Sequence, residues 1–185
     1  MANQGWRQVL VESAAAGTAI TAASETSMIP AAQKYTLPAN YFYRIGQMMK
    51  ITACGIISSV ITTPGTARFK VKFGATIAFD GLAVLLDSVA AHTNVGWWLD
   101  IWLQLTTTGT SAALFGWGRW TCEDILGVPA TAPKGCLTAF LPWNSAPAAG
   151  ATWDSTATQV IDLTFTQTAA SGSLQCQSYV VESLN

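Results

Sequence analysis

The chain has 185 residues, a net charge of −1 and charged side chains at only 10% of its positions, against roughly 25% in an ordinary soluble domain. This length suits one well-packed core, and the near-neutral charge excludes long-range attraction to nucleic acid or an anionic membrane. Neither a secretory leader nor an apolar stretch of ~20 residues is present. We therefore expect a single domain over residues 1–185, folded in the cytosol.

The first 27 residues predict a short strand followed by an extended arm. Residues 6–11 (WRQVLV) have the composition of a strand, and residues 13–27 are mostly small and polar. Trp6 and Arg7 are the candidate contact residues of this arm. Residues 28–185 then form the predicted core of the domain.

The rest of the chain has the pattern of strands separated by turns, with almost no helical periodicity. Runs of β-branched and aromatic residues predict strands near residues 47–61, 68–73, 76–79, 83–86, 94–107, 112–122, 137–141, 159–166 and 174–184. About eight strands without a long helix predict an all-β fold, an antiparallel β-sandwich of the jelly-roll type.

The segment at 68–73 shows the clearest alternation. It predicts a buried side and a basic, solvent-facing side, formed by Phe69, Val71 and Phe73 and by Arg68, Lys70 and Lys72 respectively. A nucleic-acid site would need further basic residues and interleaved aromatic residues on that side. A solvated strand face is therefore the expectation.

Residues 94–122 predict a β-hairpin whose register can be derived. Gly109 is the first central residue of Thr108–Ser111, which favours a two-residue type II′ turn. That register pairs like with like across the strands. The predicted pairs are Leu99–Trp120, Asp100–Arg119, Ile101–Gly118, Trp102–Trp117 and Leu103–Gly116.

One side of this hairpin is uniformly apolar and predicts the core, whereas the other combines aromatic rings with one ion pair. We take the second side as a candidate protein-interaction face, consisting of Trp98, Asp100, Trp102, Phe115, Trp117 and Arg119. The alternative is that a second sheet or the proline-rich segment 126–152 covers these rings within the monomer.

The sequence offers no set of residues for catalysis, a metal or a cofactor. His92 is the single histidine, lies in a predicted surface loop and has no neighbours at metal-ligand spacing. The acidic residues are scattered, and no nucleophile elbow or phosphate-binding glycine loop is present. The four widely spaced cysteines predict buried free thiols, with a late disulfide as the alternative. A non-enzymatic protein is expected.

Several turn and strand-edge segments resemble those of a family of tailed-bacteriophage virion proteins, the head decoration (cement) proteins and related jelly rolls. The similar segments are residues 16–20 (AGTAI), 29–32 (IPAA), 37–42 (LPANYF), 62–66 (TTPGT), 93–94 (TN) and 179–185 (YVVESLN). The resemblance implies a virion location and a homotrimer or similar cluster that contacts the major capsid protein or another virion protein.

Two functions follow as expectations. The first is a capsid decoration protein that oligomerises and clamps neighbouring capsid subunits through its weakly charged surface. The second is a receptor- or carbohydrate-binding module of a phage tail fibre or appendage, because exposed tryptophan rings suit the apolar faces of pyranose sugars.

Overall fold

The computed structural model describes residues 7–126 and 136–184, without the side chains of residues 124–126 and 136–137. Its strands are β1 (Arg7–Glu12), β2 (Thr26–Ser27), β3 (Thr36–Leu37), β4 (Met48–Ser59), β5 (Thr66–Phe73), β6 (Thr76–Asp80), β7 (Val84–Leu85), β8 (His92–Thr107), β9 (Ala113–Leu126), β10 (Cys136–Leu141), β11 (Gln159–Gln167) and β12 (Ser173–Leu184). A single 3-10 turn, Ala31–Gln33, is the helical element of the described residues.

The strands form two antiparallel sheets. The first has six strands in the order β1-β12-β4-β8-β9-β10, and the second has the order β2-β11-β5-β6, with β3 and β7 paired at its margins. The predicted all-β antiparallel sandwich is confirmed. In detail, β8, β9 and β10 form a meander within one sheet, whereas β12 and β4 reach the same sheet through long connections.

The core lies between the sheets and follows from strict alternation. Strand β4 alternates between half-buried and buried residues along its whole length, and β5 does the same. The predicted buried side of β5 is confirmed, since Phe69, Val71 and Phe73 are each 0% exposed. One cluster of buried apolar side chains includes residues of both sheets, so each sheet covers the apolar side of the other.

Residues 13–27, predicted as an extended arm, include bends at residues 14–15 and 22–24 and lie along their own domain. The Gly17 N–H donates to the Cys176 carbonyl at 2.8 Å, and Ile20 exchanges backbone hydrogen bonds with Leu174. Strand β1 before this segment pairs with β12, and β2 at its end pairs with β11 in the other sheet. The segment therefore joins the two sheets. Trp6 lies outside the described residues.

The predicted hairpin register is confirmed over its whole central part. The cross-strand pairs include Leu99–Trp120, Asp100–Arg119, Ile101–Gly118, Trp102–Trp117 and Leu103–Gly116. The core side of β8 is confirmed as well, since the side chains predicted to face the core are all buried: Trp97, Leu99, Ile101, Leu103 and Leu105.

The predicted two-residue turn is wrong. The ladder shifts between Leu105 and Thr107, and Thr107 pairs with Ala113, which leaves a longer connection. Tertiary contacts explain the difference, because the Gly109 N–H donates to Ser155 Oγ at 2.9 Å and its carbonyl accepts from the Ser155 N–H at 3.0 Å. A distant loop thus fixes Gly109, whose φ of 91° suits glycine.

Glycine in β9 lets the opposite sheet approach closely. A Cβ atom at Gly116 would lie 2.4 Å from Cδ2 of Phe79 in β6. Gly116 lies opposite Leu103, and its missing side chain leaves room on the core side. In the structure, a ring from the other sheet also fills that room.

Charged side chains of the second sheet form ion pairs with one another and with Glu25, which precedes β2. Arg68 contacts Asp80, while Lys70 and Lys72 both contact Glu25. The basic side of β5 therefore carries its own counter-charges. No helix in the described ranges is long and apolar enough to cross a membrane.

Candidate functional site

The candidate face lies on the side of the six-stranded sheet that points away from the second sheet, which we call the outer face. Alternation along β8 and β9 places all six predicted residues there, in four cross-strand rows, the fourth being Phe115 opposite Gln104. Trp98 is opposite Thr121, Asp100 opposite Arg119, and Trp102 opposite Trp117, while Phe115 lies beside Trp117 with ring centroids 5.6 Å apart. The structure thus brings the candidate residues together.

Asp100 is the buried centre of a charge cluster on this face. Its side chain is 2% exposed, and Oδ1 lies 2.9 Å from Lys50 Nζ on β4. Oδ1 also accepts a hydrogen bond from Thr52 Oγ1 at 3.1 Å. Oδ2 accepts from Nε and Nη2 of Arg119 at 3.1 and 3.0 Å.

This cluster determines the protonation of Asp100. Burial alone would raise the pKa of its carboxyl, but the hydrogen bonds from Lys50 and Arg119, with smaller contributions from the Lys50 charge and from Thr52, outweigh burial and lower it. Asp100 is therefore a carboxylate at neutral pH. Since both its oxygens already accept hydrogen bonds from neighbouring side chains, it has a structural role here.

Trp102 is enclosed by its neighbours on the outer face. Its ring lies nearly parallel to that of Trp117, with an interplanar angle of 9° and centroids 6.4 Å apart. Lys50 Nζ lies over the same ring at 5.2 Å from its centroid, a cation–π contact. Because β4 and β9 flank β8 on opposite sides, the indole is held between the two. Lys50, Asp100, Trp102, Phe115 and Trp117 form what we call the closed half.

The other part of the face is open to solvent. Trp98 is 47% exposed and Phe140 on β10 is 77% exposed, while the side chain of Arg119 is 53% exposed. Phe140 pairs with Arg119 across the β9–β10 ladder, and Thr138 pairs with Thr121. We call this the open half, which consists of Gly96, Trp98, Arg119, Thr121, Glu123 and Phe140.

A shallow depression of about 330 Å³ lies beside Trp98, lined by Gly96, Trp97, Trp98, Thr121, Cys122 and Glu123. The space above Gly96 is open, because this residue has no side chain. A Cβ atom built there would meet only Glu123 Oε1, at 3.9 Å. Thr121 Oγ1 lies 3.1 Å from Thr138 Oγ1. The open half therefore combines one exposed indole with a carboxylate, hydroxyl groups and a guanidinium.

Sequence reasoning missed five residues of this face: Lys50, Gly96, Thr121, Glu123 and Phe140. Lys50 belongs to β4, which is distant from the hairpin in sequence, and Phe140 belongs to β10, the next strand after it; the hairpin register includes neither strand. Gly96 and Glu123 extend the derived register by two residues, and that signal was available. Of the predicted arm residues, Arg7 lies on β1 at the far edge of the sheet, and its side chain forms an ion pair with Glu182.

His92 differs from its prediction as a surface-loop residue. It begins β8, and its Nε2 lies 3.4 Å from Asp87 Oδ2. No group of three or more His, Cys, Asp or Glu side chains in residues 7–123 and 138–184 could hold a metal ion. Cys176 and Cys122 are buried and Cys54 is half-buried. Burial raises the pKa of the Cys176 thiol to about 12, which keeps it protonated at neutral pH.

The fold and this face define an antiparallel β-sandwich with a partly open aromatic surface on its larger sheet. No protein-family model matches the chain, and no curated protein matches it. Among solved structures, the chain is similar to the CBM2 module of the evolved Dit of Lactobacillus casei BL23 phage J-1, with 11% identity, a TM-score of 0.31 and coverage of 82% of this chain and 68% of that chain. A likeness of this size carries no argument about function.

Proposed function

We propose that this protein is a non-enzymatic recognition module of a bacteriophage virion, in a tail fibre or similar appendage, that binds carbohydrate through the open half. The observation that carries the proposal is the exposed indole of Trp98 beside the depression made by Gly96. Binding sites for small ligands combine apolar surface with a few polar groups that fix orientation.

The arrangement around Trp98 suits a pyranose ring. An indole offers a flat apolar surface to the C–H side of the sugar, and the ring's hydroxyl groups point outward toward neighbouring polar atoms. Glu123 can accept hydrogen bonds from such hydroxyls, while Thr121 can donate or accept them. Trp102 is less suited to this role because Lys50 and Trp117 already contact its ring.

The virion assignment is supported by the resemblance of the turn and strand-edge segments to phage virion proteins. The small fraction of charged residues, 10%, also suits a subunit whose surface is largely covered by neighbours, because charged residues are depleted in the centres of interfaces.

Replacing Trp98 with alanine is expected to weaken sugar binding at least tenfold while the fold remains intact. The reason is that this substitution removes the one indole of the open half. Binding is measured by screening a glycan array and then by calorimetric titration of the sugars that bind.

Trp102→Ala is the matched control for this experiment, since it removes the same side chain four residues along the same strand, in the closed half. Retained binding by a folded Trp102→Ala variant supports the assignment to Trp98. Equal losses in both variants, or an array without any response to the wild-type protein, would contradict the proposal.

A second candidate function, capsid decoration by a homotrimer or similar cluster that binds the major capsid protein, is favoured by a different surface. In the loop before β4, Tyr43 is 73% exposed and Ile45 is 66% exposed. The end of this loop is fixed by the Gly46 N–H, which donates to the Leu105 carbonyl at 2.8 Å. Two large apolar side chains on an ordered loop are typical of protein contacts.

Changing Tyr43 and Ile45 together to serine is expected to convert an oligomer into monomers. Folding should not be lost, because both side chains are mostly exposed in the single chain. Light scattering coupled to gel filtration measures the change, with Val89→Ser, at a position that is 67% exposed, as the control. A wild-type protein that stays monomeric at high concentration and does not bind undecorated capsids excludes this candidate.

A further inference from the structure

We infer that the open half selects carbohydrates that carry an anionic group, and that Arg119 is the residue that binds this group. The inference rests on the proposed carbohydrate function and adds a ligand class to it. It is carried by the charge balance of the Asp100 cluster and by the different exposure of its members.

The cluster has two positive charges and one negative charge. Lys50 and Arg119 both contact Asp100, which leaves one excess positive charge. The negative member is hidden from solvent, since the Asp100 side chain is 2% exposed, whereas the Arg119 side chain is 53% exposed. Of this ion pair, a ligand approaching the open half therefore meets the Arg119 guanidinium and not the Asp100 carboxylate.

Arg119 also keeps hydrogen-bonding capacity for a ligand. Its Nε and Nη2 atoms both donate to the same oxygen, Asp100 Oδ2. Among the residues that the structure describes, no side chain or backbone group accepts a hydrogen bond from Nη1. A guanidinium held in position by one carboxylate can thus receive a second anion without losing its first contact.

Neighbouring residues define where the anionic group lies. Phe140 lies in the same cross-strand row as Arg119, and Trp98 lies in the adjacent row. Both side chains are exposed. Glu123 is the one carboxylate of the open half, and it lies four residues along β9, about 13 Å away at the usual rise per residue. The ligand's anionic group is therefore placed at the Arg119–Phe140 end, and its neutral part lies over Trp98 toward Glu123.

The test uses the intact protein and pairs of ligands that differ only in charge. Uronic acid oligosaccharides such as oligogalacturonate are titrated alongside their methyl esters. Phosphate-bearing oligosaccharides are titrated alongside their dephosphorylated forms, which distinguishes a carboxylate from a phosphate as the anionic group. We expect at least one charged member to bind more tightly than its neutral partner, with an affinity that falls as salt is added.

Arg119→Gln is expected to weaken binding of the charged ligand by about tenfold to a hundredfold, the range for a hydrogen bond to a charged group. The neutral partner's weaker binding should fall by a smaller factor, because the neutral ligand forms no ion pair with the guanidinium. Arg119→Lys keeps a positive charge beside Asp100 and should therefore restore part of the affinity. The control is Arg7→Gln, because Arg7 is also an outer-face arginine with a carboxylate partner but lies on the opposite edge strand.

The outcomes separate this inference from the proposed function. Equal binding of charged and neutral partners, lost in Trp98→Ala, would leave the carbohydrate function standing and overturn the role of Arg119. Equal losses in Arg119→Gln and Arg7→Gln would also overturn it, because a general charge effect would then explain the affinity. If no ligand of either panel binds, the inference fails, and the glycan array decides the carbohydrate function separately.

Discussion

Trp120→Ala is expected to lower the free energy of unfolding by about 3–5 kcal/mol, the usual cost of removing a large buried aromatic side chain. Trp120 is 0% exposed, and its ring lies 4.9 Å from that of Phe69 in the opposite sheet. The substitution would leave a cavity between the two sheets. Chemical denaturation followed by circular dichroism measures the change.

Trp98→Ala is the matched comparison, because it removes the same side chain from the other side of the same hairpin. Trp98 is 47% exposed, so only about half of the side chain's area is lost from burial and no enclosed cavity forms, at a cost of about 2 kcal/mol. Similar losses for the two variants would contradict the assignment of the two sides. They would also weaken the binding proposal, since Trp98 would then belong to the core.

Asp100→Ala is expected to destabilise the fold by about 2–3 kcal/mol at neutral pH. The substitution leaves Lys50 and Arg119 without their shared partner, and the cost is at the lower end for a broken buried ion pair because both cations remain in contact with water. Glu25→Ala is the control. Glu25 likewise pairs with two cations, Lys70 and Lys72, but its side chain is 27% exposed. An exposed group of this kind should contribute about 1 kcal/mol or less.

The contribution of Asp100 should depend on pH in a defined direction. Its pKa is lowered in the folded state, so its stabilisation is fully present above the unfolded-state pKa of about 3.9 and is lost as the pH falls through the folded value. The difference in stability between wild type and Asp100→Ala is therefore large at pH 7 and shrinks below about pH 4. A difference that stays constant from pH 7 to pH 3 would show that the carboxylate charge is not what stabilises the cluster.

The two halves of the outer face have different consequences for function. The closed half satisfies its own charges and stacks its own rings, and its Asp100 holds the Arg119 guanidinium in position. The open half offers the groups that remain: one indole, one guanidinium, one carboxylate and the hydroxyls beside them. Changing Trp102 and Trp117 together therefore tests stability more than binding, whereas Trp98 and Arg119 test binding.

The local sequence was enough to predict the sandwich and the hairpin register. Alternation in residues 68–73 and 97–105 has a period of two, and this period alone divides each strand into a core-facing and an outward-facing side. The register followed because only one alignment places Asp100 opposite Arg119 and Trp102 opposite Trp117. A shift by one residue would place every side chain of the strand on the wrong side of the sheet.

The turn of the same hairpin could not be predicted in this way. Turn propensity considers the nearest residues, whereas Gly109 is fixed by backbone and side-chain hydrogen bonds to Ser155. Similarly, the room at Gly116 is shared with Phe79 of the other sheet. Both features depend on contacts between residues that are far apart in the chain.

The sequence by itself determined that the chain is an all-β protein with Trp98, Asp100, Trp102, Phe115, Trp117 and Arg119 on one side of a hairpin, because strand periodicity is a local property. Only the tertiary structure decided which of them a ligand could reach. Lys50 comes from β4 to cover Trp102 and share Asp100, while Phe140 comes from β10 to stand beside Arg119. The order of strands in a sheet is set by packing of the whole chain, and that order turned one predicted aromatic cluster into a closed half and an open half.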